Sequence, residues 1–258
     1  MNRILIATAA AAALATAGTA SAADLPVKAP PMVAAAPVYT WTGCWVSGGV
    51  GYGMWRQKHF DEDAFTLTQL TQQVDTGGEG WLGRVGVGCD YQVAPQFVIG
   101  AFGDYDFMNL HGQFIVPVNG LVGEEKESGS WAAGVRVGYL PYPNLLTFIS
   151  GGWTQARFDQ INLSSAILPA RPTIFTVPET TYNGGFIGGG YEYRLPWWQG
   201  LTWKTEYRYN FYSAKDIDYQ PLILTGTATH MEKNVQTVTT SLVWRFNFWG
   251  GGPVVARY

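Results

Sequence analysis

The chain has 258 residues, of which 47% are hydrophobic, 15% aromatic and only 14% charged, and its net charge is −3. Soluble domains usually carry about 25% charged residues, and this acidic chain has no basic run of the kind that binds nucleic acid. Beyond the N-terminus there is no run of about 20 apolar residues, which argues against a polytopic helical membrane protein. The 32 glycines argue against a mostly helical fold.

The pattern of residues 1–22 is typical of a secretory signal peptide. Arg3 precedes the apolar stretch Ile4–Ala17, and the small residues Ala20-Ser21-Ala22 form a cleavage site, so the cut is predicted between Ala22 and Ala23. The chain is therefore expected to be exported, and an oxidising compartment permits disulfides.

Two short segments are expected to flank the folded body. Residues 23–40 contain four prolines, which do not fit a helix or a central strand. We predict an extended periplasmic tether there, with a proline-rich recognition tail as the alternative. Residues 249–258 are predicted to be a C-terminal tail.

The body of the chain, residues 41–248, alternates between apolar and polar side chains with a period of two, which indicates β-strands. In one such segment Trp203 and Tyr207 lie on one face, and Lys204 and Arg208 lie on the other. Eight segments show this pattern or an apolar variant of it: Gly43–Trp55, Gly80–Val93, Phe97–Phe107, Trp131–Tyr139, Leu145–Phe158, Gly185–Leu195, Leu201–Phe211 and Val235–Phe248. A tilted strand that crosses a membrane needs about 9–11 residues, which these segments provide.

The connections between these segments alternate in length. Short turns are predicted at Ala94–Gln96, Leu140–Asn144 and Pro196–Gly200, and long loops at about residues 56–79, 109–129, 159–182 and 212–234. This alternation is typical of outer-membrane barrels. We therefore predict an all-β fold, a transmembrane antiparallel up-and-down β-barrel of eight strands with short periplasmic turns and four long extracellular loops.

Two other folds remain open from the sequence. Residues Ile161–Leu168 and Thr173–Val177 could add a hairpin and give ten strands, or could extend neighbouring strands beyond the membrane. A soluble barrel of the lipocalin type would reverse the two faces and place the aromatic residues inside.

Tryptophans cluster near the predicted ends of the strands, where outer-membrane barrels carry two aromatic girdles. The sequence places Trp41, Trp45, Trp197, Trp198 and Trp249 near the short turns, and Trp55, Trp81 and Trp131 near the long loops.

Charged residues occupy the alternate positions, which would face the barrel interior. The set is Arg84, Asp90, Asp104, Asp106, Arg136, Glu192, Arg194, Lys204, Glu206, Arg208 and Arg245. Eight strands leave an interior just wide enough for side chains. Because an unpaired buried charge is costly, these nearly balanced charges are expected to pair and plug the barrel.

Several stretches resemble the small eight-stranded outer-membrane barrels of the opacity-protein-like group, which are common in Gram-negative envelopes. They are Trp41–Gly49, Gly88–Gln92, Val98–Asp104, Gly190–Tyr193 and Trp244–Phe246, and the resemblance covers residues 41–248. Phe102 departs from the pattern, since the family often has glutamate there. A second departure is that ten residues follow Phe248, so the signal for barrel insertion is either internal, at Leu242–Phe248, or uses Tyr258.

The resemblance implies a location in the outer membrane of a Gram-negative bacterium. The partners it implies are outer-membrane lipid and lipopolysaccharide, the barrel-insertion machinery, and host or other extracellular ligands that bind the loops.

The two cysteines are expected to form a disulfide. In the barrel, Cys44 begins the first strand and Cys89 ends the second, both on the outward face near the periplasm. Two unpaired thiols are the alternative. A redox-active pair would more usually have Cys-x-x-Cys spacing.

No catalytic, metal or cofactor site is predicted. His59, His111 and His230 fall in long loops without ligand spacing, and scattered loop histidines are more often simply solvated. The acidic stretches Asp61–Asp63 and Glu124–Glu127 are interpreted as solvated loop tips, with divalent cations that bridge lipopolysaccharide as the alternative.

The sequence therefore predicts a non-enzymatic barrel that stabilises the envelope and displays its loops. A narrow porin for small hydrophilic solutes is the first alternative, and an adhesin or an enzyme acting at the rim is the second.

Overall fold

The computed structural model describes residues 40–117, 120–165, 172–220 and 226–246. The predicted signal peptide, nearly all of the tether and the C-terminal tail lie outside the described residues. Within the described residues, no helix is long and apolar enough to cross a membrane.

The described residues form eleven strands that all pair antiparallel. They are β1 (Gly43–Asp63), β2 (Val74–Ala94), β3 (Phe97–Ile115), β4 (Leu121–Tyr142), β5 (Leu145–Phe158), β6 (Ile161–Ser165), β7 (Thr173–Val177), β8 (Thr180–Arg194), β9 (Leu201–Tyr212), β10 (Lys215–Asp218) and β11 (Thr227–Phe246).

Eight of these strands close into a ring in the order β1, β2, β3, β4, β5, β8, β9 and β11, and β11 pairs with β1 to complete it. The predicted eight-stranded barrel is confirmed. β6 and β7 form a hairpin that pairs with the first residues of β4, and β10 pairs with β11. All three lie outside the ring, so the ten-stranded alternative is wrong.

The ring strands are longer than the sequence predicts. The β1–β11 ladder continues to the pair Asp63↔Thr227, and β2 begins at Val74. Much of the sequence assigned to long loops is therefore strand. This part of the barrel, which we call the extracellular extension, lies beyond the aromatic ring formed by the outward-facing Trp81, Trp131 and Trp153.

The two faces of the wall are as predicted across the membrane-spanning part. Val137 and Trp203 face outward and are 50% and 49% exposed, whereas Arg136 and Arg208 face inward and are 3% and 1% exposed. Apolar side chains on the outer face suit contact with lipid. This arrangement rules out the reversed, lipocalin-like faces.

Three tryptophans that the sequence places in the girdles instead point into the barrel. Trp41, Trp45 and Trp55 are buried, at 1%, 2% and 1% exposure. Trp45 lies opposite Gly88 across the β1–β2 ladder, and a Cβ on that glycine would come within 2.5 Å of the indole. Glycine at this position therefore makes room for a large ring inside the barrel.

A β-bulge at Ser128 changes which residues of β4 face inward. The pairing of β4 with β5 shifts between Glu127 and Gly129. Even-numbered residues such as Arg136 face inward on one side of the bulge, and odd-numbered residues such as Glu125 and Glu127 face inward on the other. A bulge adds one unpaired residue, which is why the alternation changes phase.

Candidate functional site

Buried charged side chains lie in layers in the interior of the barrel. The layer nearest the short turns holds two arginines and two carboxylates. Arg136 donates to both oxygens of Asp90, with Nε–Oδ1 at 2.8 Å and Nη2–Oδ2 at 2.5 Å. Arg245 donates to Asp90 Oδ2 at 2.6 Å and to Glu192 Oε1 at 2.7 Å. Each carboxylate is thus shared by two guanidinium groups, because Arg136 also reaches Glu192 at 3.2 Å.

The second layer lies in the middle of the membrane-spanning part and holds three cations and three anions. Arg84 donates to both oxygens of Asp106, at 2.6 and 2.7 Å. Arg208 binds Asp104 in the same two-pronged way, at 2.8 and 2.7 Å. Glu206 joins these two pairs, since its carboxylate lies 3.4 Å from Arg84 and 3.2 Å from Arg208. Lys204 lies 3.5 Å from the same carboxylate.

Both layers are formally neutral, and this neutrality makes their burial possible. Removing a charge from water costs several kcal/mol, which close pairing and hydrogen bonds must offset. Two-pronged arginine–carboxylate pairs are the strongest geometry available for this purpose. The strands place these residues at alternate positions on neighbouring strands, for example Arg84 directly opposite Asp106.

Aromatic rings fill the space between the two charged layers. The Arg136 guanidinium lies 4.8 Å from the centre of the Trp45 ring, and the Arg208 guanidinium lies 4.4 Å from that of Phe186. Phe102, the departure from the family pattern, lies against Phe186. Guanidinium groups stack favourably on aromatic faces. The rings therefore fill the interior and also make stabilising contacts with the arginines.

Ten of the eleven predicted interior charges belong to the two layers. Arg194, the other member of the set, lies at the short-turn end of the barrel. Its guanidinium donates to the Thr40 carbonyl at 3.4 Å and stacks on Trp41 at 4.8 Å from the ring centre. Arg194 therefore contacts the chain just before β1 begins.

An apolar core fills the extracellular extension above the charged layers. Its buried members include Trp55, Leu110, Phe114, Phe158, Tyr182, Met231 and Val235. This core is not expected from the sequence, where the period-two pattern places these residues in loops or at strand ends.

A third polar group is enclosed in the apolar core. The Lys233 ammonium donates to the Glu125 carboxylate and to the Gln57 side-chain oxygen. Both oxygens of Glu127 are buried and have no hydrogen-bond partner among the described residues. Burial and, after it, repulsion from Asp106 raise the pKa of Glu127 to about 8. With Glu127 protonated at neutral pH, the pair of Lys233 and Glu125 is balanced.

The three histidines lie on strands and do not converge. His59 is buried, stacks on Phe114 and lies 2.9 Å from the Ile115 carbonyl, and burial lowers its pKa. His111 pairs with Glu124 on the outer wall. His230 lies on the outer wall as well, 2.5 Å from Asp216, with Glu62 close by.

The acidic stretches are not the solvated loop tips predicted from the sequence. Glu62, Glu125 and Glu127 are all buried. β10, which brings Asp216 beside His230, is only four residues long. No periodic signal in the sequence identifies such a short strand.

The two cysteines form the expected disulfide. Cys44 and Cys89 lie directly opposite each other in the β1–β2 ladder, with Cα atoms 3.9 Å apart. The bond joins the first hairpin on the outer face near the short turns.

No family model matches the chain. The chain is 26% identical over 237 residues to the 31 kDa outer-membrane immunogenic proteins of Brucella melitensis and Brucella suis, a match that covers 88% of this chain and 94% of each relative. This chain is an outer-membrane β-barrel protein. The similarity to outer-membrane immunogenic proteins agrees with the resemblance seen in the sequence.

Solved structures of other outer-membrane barrels are also similar to this barrel. OprG of Pseudomonas aeruginosa is 10% identical with a TM-score of 0.46, and covers 80% of this chain and 97% of its own. The protease OmpT of Escherichia coli is 12% identical with a TM-score of 0.40, and covers 80% of this chain and 98% of its own.

Proposed function

We propose that this protein is a closed, non-enzymatic barrel that stabilises the outer membrane and displays its extracellular extension. The observation that supports this proposal is the filling of the interior by two neutral layers of ion pairs and an apolar core. A path for ions through the barrel would have to cross all three.

The charged layers resist opening for an energetic reason. Moving Arg84 away from Asp106 would leave the buried Asp106 carboxylate without the cation that binds it, and breaking a buried pair typically costs about 3–5 kcal/mol. Several such pairs share carboxylates, so one layer opens only if several contacts break together. A fluctuation large enough to pass a hydrated solute is therefore rare.

The display role rests on the length of the strands and on the relatives. β1, β2, β4 and β11 continue for many residues past the outer aromatic ring, so paired strands and the β6–β7 hairpin lie outside the membrane. The Brucella relatives are named as immunogenic proteins. We propose that the corresponding surface of this chain is likewise accessible from outside the cell.

The partners follow from this placement. The apolar outer wall contacts lipid, and we propose that lipopolysaccharide surrounds the wall above it and that barrel-insertion machinery assembles the chain. We also propose that residues 1–22 are removed on export between Ala22 and Ala23, and that residues 23–40 form a periplasmic tether.

Planar-bilayer recording of the purified protein tests the closed barrel. We expect no resolved conductance steps from the wild type at moderate salt. The double substitution Arg84→Ala with Asp106→Ala removes a central pair without leaving a lone charge. Because the other charged layer and the apolar core stay in place, we expect this variant to remain closed as well.

The matched control removes an exposed pair. Arg157 and Glu179 form an ion pair on the outside of the barrel, at 59% and 48% side-chain exposure. Replacing both with alanine should leave the bilayer silent. Regular open steps from the wild type would overturn the proposal in favour of a narrow porin.

A further inference from the structure

Three potential metal ligands, each from a different strand, lie close together on the outer wall of the extracellular extension. One carboxylate oxygen each of Glu62 and Asp216 and one ring nitrogen of His230 lie within 4.8 Å of one another. The pairing of β11 with both β1 and β10 creates this meeting point, because His230 faces Phe60 on one side and Asp216 on the other.

The burial of Glu62 is a second, independent indication that an ion binds here. It lies on the outward face of β1 but is only 4% exposed, and its Oε1 has no hydrogen-bond partner among the described residues. A buried carboxylate without a donor is costly. A cation at this position would satisfy it.

The imidazole is also held in place. The His230 ring stacks on Phe60, with centroids 4.9 Å apart and planes inclined by 17°. Its Nδ1 lies 2.5 Å from Asp216 Oδ1. The side chains of His230 and Asp216 are 27% and 47% exposed, so an ion can reach the group from water.

We propose that Glu62, Asp216 and His230 bind a divalent transition-metal ion of the zinc class. One imidazole and two carboxylates form a ligand set that zinc accepts, with water in the open position. Magnesium and calcium prefer ligand sets made of oxygen atoms alone. An ion at this site would bind between His230 Nδ1 and Asp216 Oδ1, which face each other in this structure.

The site would fasten the short strand β10 and the end of β1 to β11. β10 has four residues, and among the described strands it pairs with β11 alone. A metal bridge across three strands would therefore strengthen this short pairing. Metal binding at this position does not depend on whether the barrel conducts ions.

Titration calorimetry with Zn²⁺ on the full mature chain, without an affinity tag and after chelator treatment, tests the site. We expect one ion per barrel in the wild type, and weaker binding of Ca²⁺ and Mg²⁺. Glu62→Gln preserves the shape of the side chain, and His230→Phe preserves the stacking on Phe60. Each should weaken Zn²⁺ binding at least tenfold.

His111→Phe is the matched control. His111 also pairs with an exposed carboxylate, that of Glu124, but the described residues bring no third ligand group to it. We expect this variant to bind Zn²⁺ as the wild type does. A heat-shift gel confirms that each variant forms a folded barrel.

Four results would overturn the site: no Zn²⁺ binding by the wild type, equal loss in His111→Phe, a loss in His230→Phe but not in Glu62→Gln, or equally tight binding of Ca²⁺. The third result would mean that the exposed pair of His230 and Asp216 binds the ion without the buried Glu62 carboxylate.

Discussion

Replacing Glu127 with glutamine is expected to change how the stability of the barrel depends on pH. Glu127 is fully buried in the apolar core of the extracellular extension, and neither carboxylate oxygen has a hydrogen-bond partner among the described residues. Burial and the nearby Asp106 raise its pKa from 4.5 to about 8. The folded barrel therefore keeps a proton at neutral pH that the unfolded chain releases.

The sign and size of the effect follow from this difference. Because the folded state binds more protons, the wild-type barrel loses stability as pH rises from the unfolded pKa toward the folded one. Each pKa unit corresponds to about 1.4 kcal/mol. Between pH 5 and pH 8 the loss attributable to Glu127 is therefore about 4 kcal/mol at most. Glutamine has nearly the same shape and no titrating proton, so Glu127→Gln removes this loss.

Equilibrium unfolding in urea, followed by tryptophan fluorescence in lipid vesicles, measures the difference at pH 5 and pH 8. Relative to the wild type, Glu127→Gln should gain about 2–4 kcal/mol of unfolding free energy between the two pH values. Glu179→Gln, which removes an exposed carboxylate paired with an arginine, should show no such gain. The alternative result is that the unfolding free energies of Glu127→Gln and the wild type differ by the same amount at both pH values. In that case Glu127 is already ionised in the folded barrel and the reasoning is wrong.

Two further substitutions test other parts of the barrel. Changing Cys44 and Cys89 to serine removes the disulfide, which links positions 45 residues apart in the sequence. The loss should lower the free energy of unfolding by about 2–4 kcal/mol. A reductant should destabilise the wild type by the same amount and leave the variant unchanged. Asp90→Asn weakens the shared partner of Arg136 and Arg245, which should cost about 3–5 kcal/mol in urea unfolding, and a cost below about 1 kcal/mol would show that the layer contributes little.

The period-two pattern predicted the wall of the barrel well, because each strand must present an apolar side to lipid and the opposite side to the interior. The same pattern held enough information to place Trp45 inside. It shares its parity with Ser47 and Gly49 and not with Val46, and a glycine lies across from it in the next strand. The girdle rule, which considers only distance from the strand end, gave the wrong face.

Other features of the barrel have no local pattern in the sequence that would predict them. The bulge at Ser128 exchanges the two faces of β4, so the inward direction of Glu125 and Glu127 depends on a single unpaired residue. The meeting of Glu62, Asp216 and His230 depends on which strands are neighbours in the closed ring. Neither the phase of a bulge nor the pairing of a four-residue strand follows from composition or periodicity.

The polarity of the barrel wall inverts at the outer aromatic ring. On the membrane side of this ring, Val137 faces out and Arg136 faces in; beyond it, Arg56 and Lys58 face out while Trp55 faces in. The change follows from the solvent, because the outer face meets lipid in one part and water in the other. The extracellular extension therefore obeys the rule for soluble proteins and is stabilised by burying its own apolar core. This explains how the strands remain paired well beyond the membrane.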